Sequence, residues 1–315
     1  MCTGVRFTDA EGDMYFGRNL DWECSYGETM KVTPRNFDYQ PEFNATFGKR
    51  AVFGLAITAE DKPLYYDCAN ENGLAIAGLN FPGYAKYEDG PVDGKTNVAA
   101  YEFPLWVTRN FDSVDEVEAA LDGVAIVAKP VNDKWPVALL HWIVADKTRS
   151  IVVEYMADGI HVYHNPIDAM TNQPTFAYHL ENMKNYMNVT VDFPPTTDWD
   201  KYEMTAWGSG VSMHGLPGDY SSPSRLVRAA YTNSHYPQTS DEAHGVNRLF
   251  KTLQGSSMIY GGAKMENGNY EYTVYTSCFS TKTMTYYHTS YEDPTPKSWK
   301  LSDFDLDGTA LISAA

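Results

Sequence analysis

Short β-branched and aromatic runs fill the two ends of the chain, and the helical periodicities lie between them. VRF (5–7), MYFGRNL (14–20), TMKVTP (29–34), AVFGLAIT (51–58), PLYYDCA (63–69) and GLAIAGLN (73–80) are separated by clusters of Gly, Asp, Asn and Pro. Glu71-Asn72-Gly73 reads as a tight turn between the last two. Strand patterns return at YEYTVYTSCFS (270–280) and TMTYYHTS (283–290), with Thr281-Lys282 near the turn. Strands at both ends with helices between them predict an α+β domain whose two ends share a sheet.

The middle of the chain carries the helix signals. Ser113 followed by Glu116 is a capping box, after which Val114, Val117 and Leu121 fall on one face up to Asp122-Gly123. ALLHWIVA (138–145) and SIVVEY (150–155) read as buried strands joined by Asp146-Lys147-Thr148-Arg149. Helical spacing recurs over 176–189. Ser222-Pro223 supplies an N-cap and a first-turn proline for SRLVRAAY, and a further helix spans about 241–253. The longest loop-like stretch, about 192–220, is rich in Pro, Thr, Gly and Asp, and a loop of that length is more often functional or at an interface than idle. Without repeats, low-complexity tracts or a linker, residues 1–315 read as one domain.

Composition excludes several classes. At 43% apolar and 14% aromatic the chain can bury a large core, yet no run approaches the roughly 18 to 20 apolar residues that cross a bilayer. Its start, MCTGVRFTDAEGD, lacks a charged and an apolar leader segment, so the expected compartment is the cytoplasm. Cys2, Cys24, Cys68 and Cys278 show no paired spacing, which speaks against a zinc site or a disulfide framework. A formal charge of −17 makes nucleic acid and anionic membranes poor partners.

Removal of Met1 would leave Cys2 with a free α-amino group, so that nucleophile and base share one residue. The ordinary α-amine and thiol pKa values, about 7.7 to 8.0 and about 8.5, are close enough for proton exchange near neutral pH. Taken alone, a Met-Cys start is more often a small residue opening an edge strand. Phe16-Gly17-Arg18-Asn19-Leu20-Asp21-Trp22 adds weight, because period-2 counting places Arg18 on one face with Met14, Phe16 and Leu20. A buried arginine needs a partner, and Asp21 is the nearest carboxylate, although its parity is opposite unless the strand bends. Such a pair beside a thiolate would favour and orient it; a structural ion pair fits the residues equally well.

MCTGVRF, FGRNLDW, NENGLAIAGLNFPGY, TNQPTF, GLPGDYSSPSRLVRAA and YTSC, in that order from residue 1 to about 278, resemble the choloylglycine hydrolases, the N-terminal nucleophile family of bile salt hydrolases and penicillin V acylases. The resemblance implies a four-layer αββα sandwich of two antiparallel sheets flanked by helices. It implies Cys2 as nucleophile and base with Arg18 and Asp21 beside it, Asn80 and Asn172 as oxyanion-stabilising donors, and Arg225 as a further active-site charge. A donor of that kind is commonly worth about 3 to 4 kcal/mol of barrier. Asparagine at position 80, where penicillin V acylases usually carry tyrosine, favours conjugated bile acids; its other reading is a turn before Phe81-Pro82-Gly83. By position Leu20, Trp22, Tyr66, Val131, Trp135 and Leu140 look like the lining for a steroid, and singly each except Trp22 reads as readily as core. The family implies no cofactor and often forms homotetramers, for which 192–220 is the expected assembly segment.

Two other signals carry less. Asp303-Phe304-Asp305-Leu306-Asp307-Gly308 imitates half of a calcium loop, but the twelfth position falls on Ala314. His161 and His164, three apart in an extended segment, point to opposite faces, so no metal is expected. The 23 tyrosines leave a carbohydrate-binding protein with an inert Cys2 as the non-enzymatic alternative.

Overall fold

The computed structural model describes residues 1–238 and 240–314. Two antiparallel sheets lie face to face. In the first, the strands run in the order Ala169–Met170, Cys2–Thr8, Met14–Trp22, Tyr270–Ser280, Thr285–Ser290 and Lys297–Lys300, with Ala263–Lys264 paired to Tyr270–Ser280. In the second, the order is Gly159–His164, Ser150–Met156, Leu140–Ala145, Ala75–Asn80, Lys62–Asn70, Val52–Ala59, Thr29–Thr33 and Ile312–Ala314. The expected pairing of the two chain ends is present, because Met14–Trp22 lies directly beside Tyr270–Ser280. The early strands nevertheless divide between the sheets, the first two joining one and the next four the other.

Among the described residues, five α-helices cover the outer faces: α1 (Phe103–Asn110), α2 (Val114–Leu121), α3 (Phe176–Met183), α4 (Ser222–His235) and α5 (Glu242–Gln254). Three apolar layers hold the sandwich together. Val5, Phe7 and Tyr15 pack on Leu226, Ala230, Leu249 and Leu253 of α4 and α5. Met14, Phe16, Leu55, Leu79 and Phe279 fill the space between the sheets. Val52, Ile76 and Trp142 meet Phe103, Trp106, Val117 and Leu121 of α1 and α2. The architecture is therefore helix, sheet, sheet, helix. Among the described residues, no helix is long and apolar enough to cross a membrane.

Local sequence explains several helix ends. Ser113 Oγ accepts from the Glu116 amide at 3.2 Å, as its capping box predicts. Asp241 caps α5 by accepting from the His244 amide at 3.0 Å. The α4 cap is Ser221, one residue before the expected Ser222. The helix expected over 176–189 stops at Met183 and tightens into a 3₁₀ turn over Lys184–Tyr186. α1 has no counterpart in the sequence reading. Every residue from Phe103 to Arg109 is buried, so its sequence shows no polar face and hence no helical period.

Candidate active site

Strand register brings the first candidate residues together. Cys2 pairs with Leu20 and Gly4 with Arg18, so Cys2 and Arg18 are diagonal neighbours on the face that looks between the sheets. The alternate face of Met14–Trp22 looks toward the helices. There is no room on it for a side chain at Gly17, where a Cβ would lie 2.0 Å from the Ser277 carbonyl oxygen and 2.6 Å from Leu249 Cδ2. Asn19, on the same side, donates to the Leu253 carbonyl at the end of α5 at 2.8 Å.

Arg18 is fully buried, and Nη2 lies 2.5 Å from Cys2 Sγ. Its remaining donors go to main-chain carbonyls: Gly78 at 2.6 Å, Tyr66 at 3.3 Å and Asn19 at 3.2 Å. Burial works against its charge, but the Cys2 thiol, the Tyr275 phenol and the Asp67 and Asp21 carboxylates outweigh it and raise its pKa. The expected Arg18–Asp21 pair does not form. The strand runs unbroken from Met14 to Trp22, and opposite parity sends Asp21 to the other face. There its carboxylate accepts from Thr273 Oγ1 at 2.6 Å and lies 3.6 Å from Arg225 Nη1.

Arg225, buried in the first turns of α4, ties the cluster into one unit. Nη1 donates to the Cys2 carbonyl at 2.5 Å and to Thr3 Oγ1 at 2.8 Å, and Nη2 donates to Asn172 Oδ1 at 2.7 Å. Burial lowers its pKa against the opposing pull of Asp21. Asn172 Oδ1 also accepts from the Cys2 main-chain nitrogen at 2.6 Å, while its Nδ2 donates to the Asn80 carbonyl at 2.8 Å. The two asparagines thus meet through the main chain of one and the side chain of the other. Asn172 is in turn fixed by Ser222 Oγ, which accepts from its amide at 3.0 Å, and by His179 Nε2, 2.8 Å from its carbonyl. Burial drives the His179 pKa down to about 4, so the ring is neutral and donates from Nε2.

The thiol opens onto a cavity of about 820 Å³ lined by Met1, Cys2, Arg18, Asp21, Asn80, Leu20, Trp22, Tyr26, Tyr66, Pro82, the 134–140 loop, Gln173, 265–267 and Glu271. Five of the six residues expected to form an apolar lining therefore line it. Val131 does not: it faces a neighbouring cavity of about 120 Å³ behind the loop, which shares Tyr66, Trp135 and Leu140 with the larger one. Among the described residues no group of three or more His, Cys, Asp or Glu is placed to hold a metal ion.

This arrangement can carry out nucleophilic acyl chemistry. A thiol lies against a guanidinium, its own main-chain nitrogen is held by an asparagine, and an apolar cavity stands open beside it. The profile of the linear amide C–N hydrolases, choloylglycine hydrolase family, matches residues 2–314. The chain belongs to that family. It is 57% identical over the full length of both chains to a bile salt hydrolase/transferase of Bifidobacterium longum subsp. longum. A mutant conjugated bile acid hydrolase from Clostridium perfringens superposes with a TM-score of 0.94 at 33% identity, covering 100% of this chain and 97% of that one. Penicillin V acylase from Agrobacterium tumefaciens shares the fold, with a TM-score of 0.78 at 20% identity over 98% of this chain and 90% of that one.

Sequence reasoning missed three parts of the site. Thr3, Ser222 and His179 hold the asparagine and the arginine from three separate elements, and nothing in their local sequence announces it. Tyr26 and the 265–267 turn reach the cavity only because the strand ends beside them converge. Glu271 is the second residue of the strand that begins YEYTVY, and no local pattern sets it apart from its neighbours.

Proposed function

We propose that this family member hydrolyses the amide bond of glycine- or taurine-conjugated bile acids through Cys2 once Met1 has been removed. The observation that carries the reading is the Cys2 thiol at the wall of a largely apolar cavity large enough for a steroid nucleus. Leu20, Trp22, Tyr66, Trp135 and Leu140 bind the rings, and burying them outweighs screened repulsion between the acidic protein and the distal anionic group. Relatives at 57% and 42% identity are named bile salt hydrolase/transferase and conjugated bile acid hydrolase.

Cys2 Sγ attacks the carbonyl carbon, with its proton passing to its own α-amine. Arg18 faces the sulfur with a fixed positive charge as negative charge develops there. Asn80, whose side chain stands at the cavity wall, donates to the oxyanion. In the family pattern Asn172 shares that task; its contact with the Cys2 nitrogen supports a second role, holding the α-amine in line. Arg225, bridging Asp21, Thr3 and Asn172, keeps the Cys2 main chain in register. The protonated α-amine then delivers its proton to the leaving nitrogen, and water cleaves the thioester. An amine that reaches the thioester before water does would give acyl transfer at the same site, the second reading that the relatives' names suggest.

Measured side by side, glycocholate and taurocholate should be cleaved at least tenfold faster than penicillin V; the reverse order would replace the substrate assignment with penicillin V acylase. Iodoacetamide at pH 7 should abolish turnover and label Cys2 first. Even labelling over Cys24, Cys68 and Cys278 would support an inert Cys2 and the carbohydrate-binding alternative.

Two further readings concern the setting of the molecule. The four cysteines are free thiols, which suits a reducing compartment such as the cytoplasm. Within 192–220 the strands Thr197–Trp199 and Tyr202–Met204 pair, among the described residues, only with each other, and the segment exposes Phe193, Trp199, Tyr202 and Trp207. We read this segment as the assembly arm of a homotetramer, because aromatic side chains that exposed are better covered by a second copy than by water.

A further inference from the structure

In the unprocessed chain the α-ammonium of Met1 sits at the cavity wall like a bound ligand. It donates to the Asp21 carbonyl at 2.7 Å and contacts the Glu271 carboxylate, while the Met1 carbonyl accepts from the Asp21 amide at 2.8 Å. Glu271 is 6% exposed, and apart from the Met1 ammonium its Oε1 has no partner among the described residues. Loss of Met1 therefore empties the place beside a buried carboxylate that faces the cavity. Such a group is costly unless a cation or a hydrogen-bond donor takes the place.

The position matters for the chemistry. Covalent geometry sets the Met1 nitrogen within about 3.7 Å of the Cys2 nitrogen. That is the side on which the scissile nitrogen must lie if the Cys2 α-amine is to protonate it. We propose that the cradle formed by Glu271 and the Asp21 carbonyl is, in the processed enzyme, a subsite for the amine nitrogen of the ligand. It receives the leaving amine during acylation and a primary-amine acceptor during thioester cleavage, with Glu271 as the recognition residue.

This rests on the thioester route given above. In the transfer direction the acceptor first gives up one proton from its ammonium form to solvent water, and its nitrogen then attacks the thioester carbonyl. A C–N bond forms, the C–S bond breaks with its electron pair on sulfur, and a second proton moves from the attacking nitrogen through the Cys2 α-amine to the sulfur. The net change is thioester plus primary amine to amide plus thiol. Burial of this position, opposed by Cys2 and Asp21, already lowers the Met1 ammonium pKa, the direction that favours a nucleophilic amine.

The p-nitrophenyl ester of cholic acid provides the test, because its leaving group is a phenolate that has no use for an ammonium cradle. With this ester and rising ethylamine, the wild-type enzyme should give cholyl ethylamide with a saturating dependence on amine. A strictly linear dependence would mean that no subsite exists. In Glu271→Gln, with intact mass confirming an N-terminal Cys2 and a melting curve confirming the fold, the ratio of amide to acid product should fall at least tenfold. The ratio of glycocholate to ester turnover should fall at least tenfold as well, and Glu271→Asp should recover part of both. Unchanged ratios in Glu271→Gln would overturn the assignment. If the wild-type makes no ethylamide at all, acyl transfer fails, and the subsite stands or falls on the glycocholate-to-ester ratio alone.

Discussion

Arg225 shows how much one side chain can hold. It touches Cys2, Thr3, Asn172 and Asp21, so replacing it by Met removes the only cation within 4.0 Å of the Asp21 carboxylate among the described residues. An unpaired buried carboxylate commonly costs about 3 to 5 kcal/mol, and kcat should drop about a hundredfold or more as the Cys2 main chain loosens. Urea unfolding and steady-state rates on glycocholate check both, and wild-type values for either would refute the bridging role. Cys2→Ala should abolish turnover, at least a thousandfold, while leaving the melting curve unchanged within a few degrees. His179 gives a pH signature. Burial holds its pKa at about 4 against the ordinary value of 6.5, so the unfolded chain binds the proton more readily. Its contribution is whole above pH 6.5 and is lost as pH falls toward 4, reaching about 3 kcal/mol. Chemical denaturation at pH 7.5 and pH 4.5 should show a drop in wild-type stability that is smaller in His179→Gln.

At the scale of elements, the site depends on how closely α5 approaches the first sheet. Gly17→Ala places a methyl group against the Ser277 carbonyl and Leu249, so either the strand pair or α5 must move. Overpacking of this kind typically costs about 1 to 3 kcal/mol, and here both obstacles include well-packed atoms. The expected result is a melting temperature lowered by several degrees, with a glycocholate rate that falls because Arg18 is the next residue along. An unchanged melting temperature would show that strand and helix make room for the methyl group without cost. The same two-faced strand accounts for the one charge pairing that sequence reasoning misplaced. Parity put Arg18 on one face with Met14, Phe16 and Leu20 and Asp21 on the other; the fold turns the first face between the sheets and supplies Arg225 on the second.

For the molecule as a whole, the segment 192–220 leaves large aromatic side chains in solvent. Trp207 is 99% exposed and Trp199 76%. Replacing both with Ser, together with Tyr202→Ser, should convert the proposed tetramer to smaller species in light scattering while the isolated subunit keeps its secondary structure. A wild-type enzyme that runs as a monomer at micromolar concentration would refute the assembly reading.

The strands at both ends, the capped helices and the αββα layering were legible because each rests on a local period, a cap or a motif read in order. The family motifs likewise named Cys2, Arg18, Asp21, Asn80, Asn172 and Arg225, which the fold gathers around the thiol and whose roles are proposed above; the lining was expected by position, and all of it but Val131 faces the larger cavity. α1 was illegible because a helix buried all round loses its polar face, and with it the period that betrays a helix. The partner of Asp21, the hold of His179 on Asn172 and the place of Glu271 were beyond local reading for a shared reason. Each depends on residues 7 to 270 positions apart meeting across sheet and helix, and only tertiary packing sets those distances.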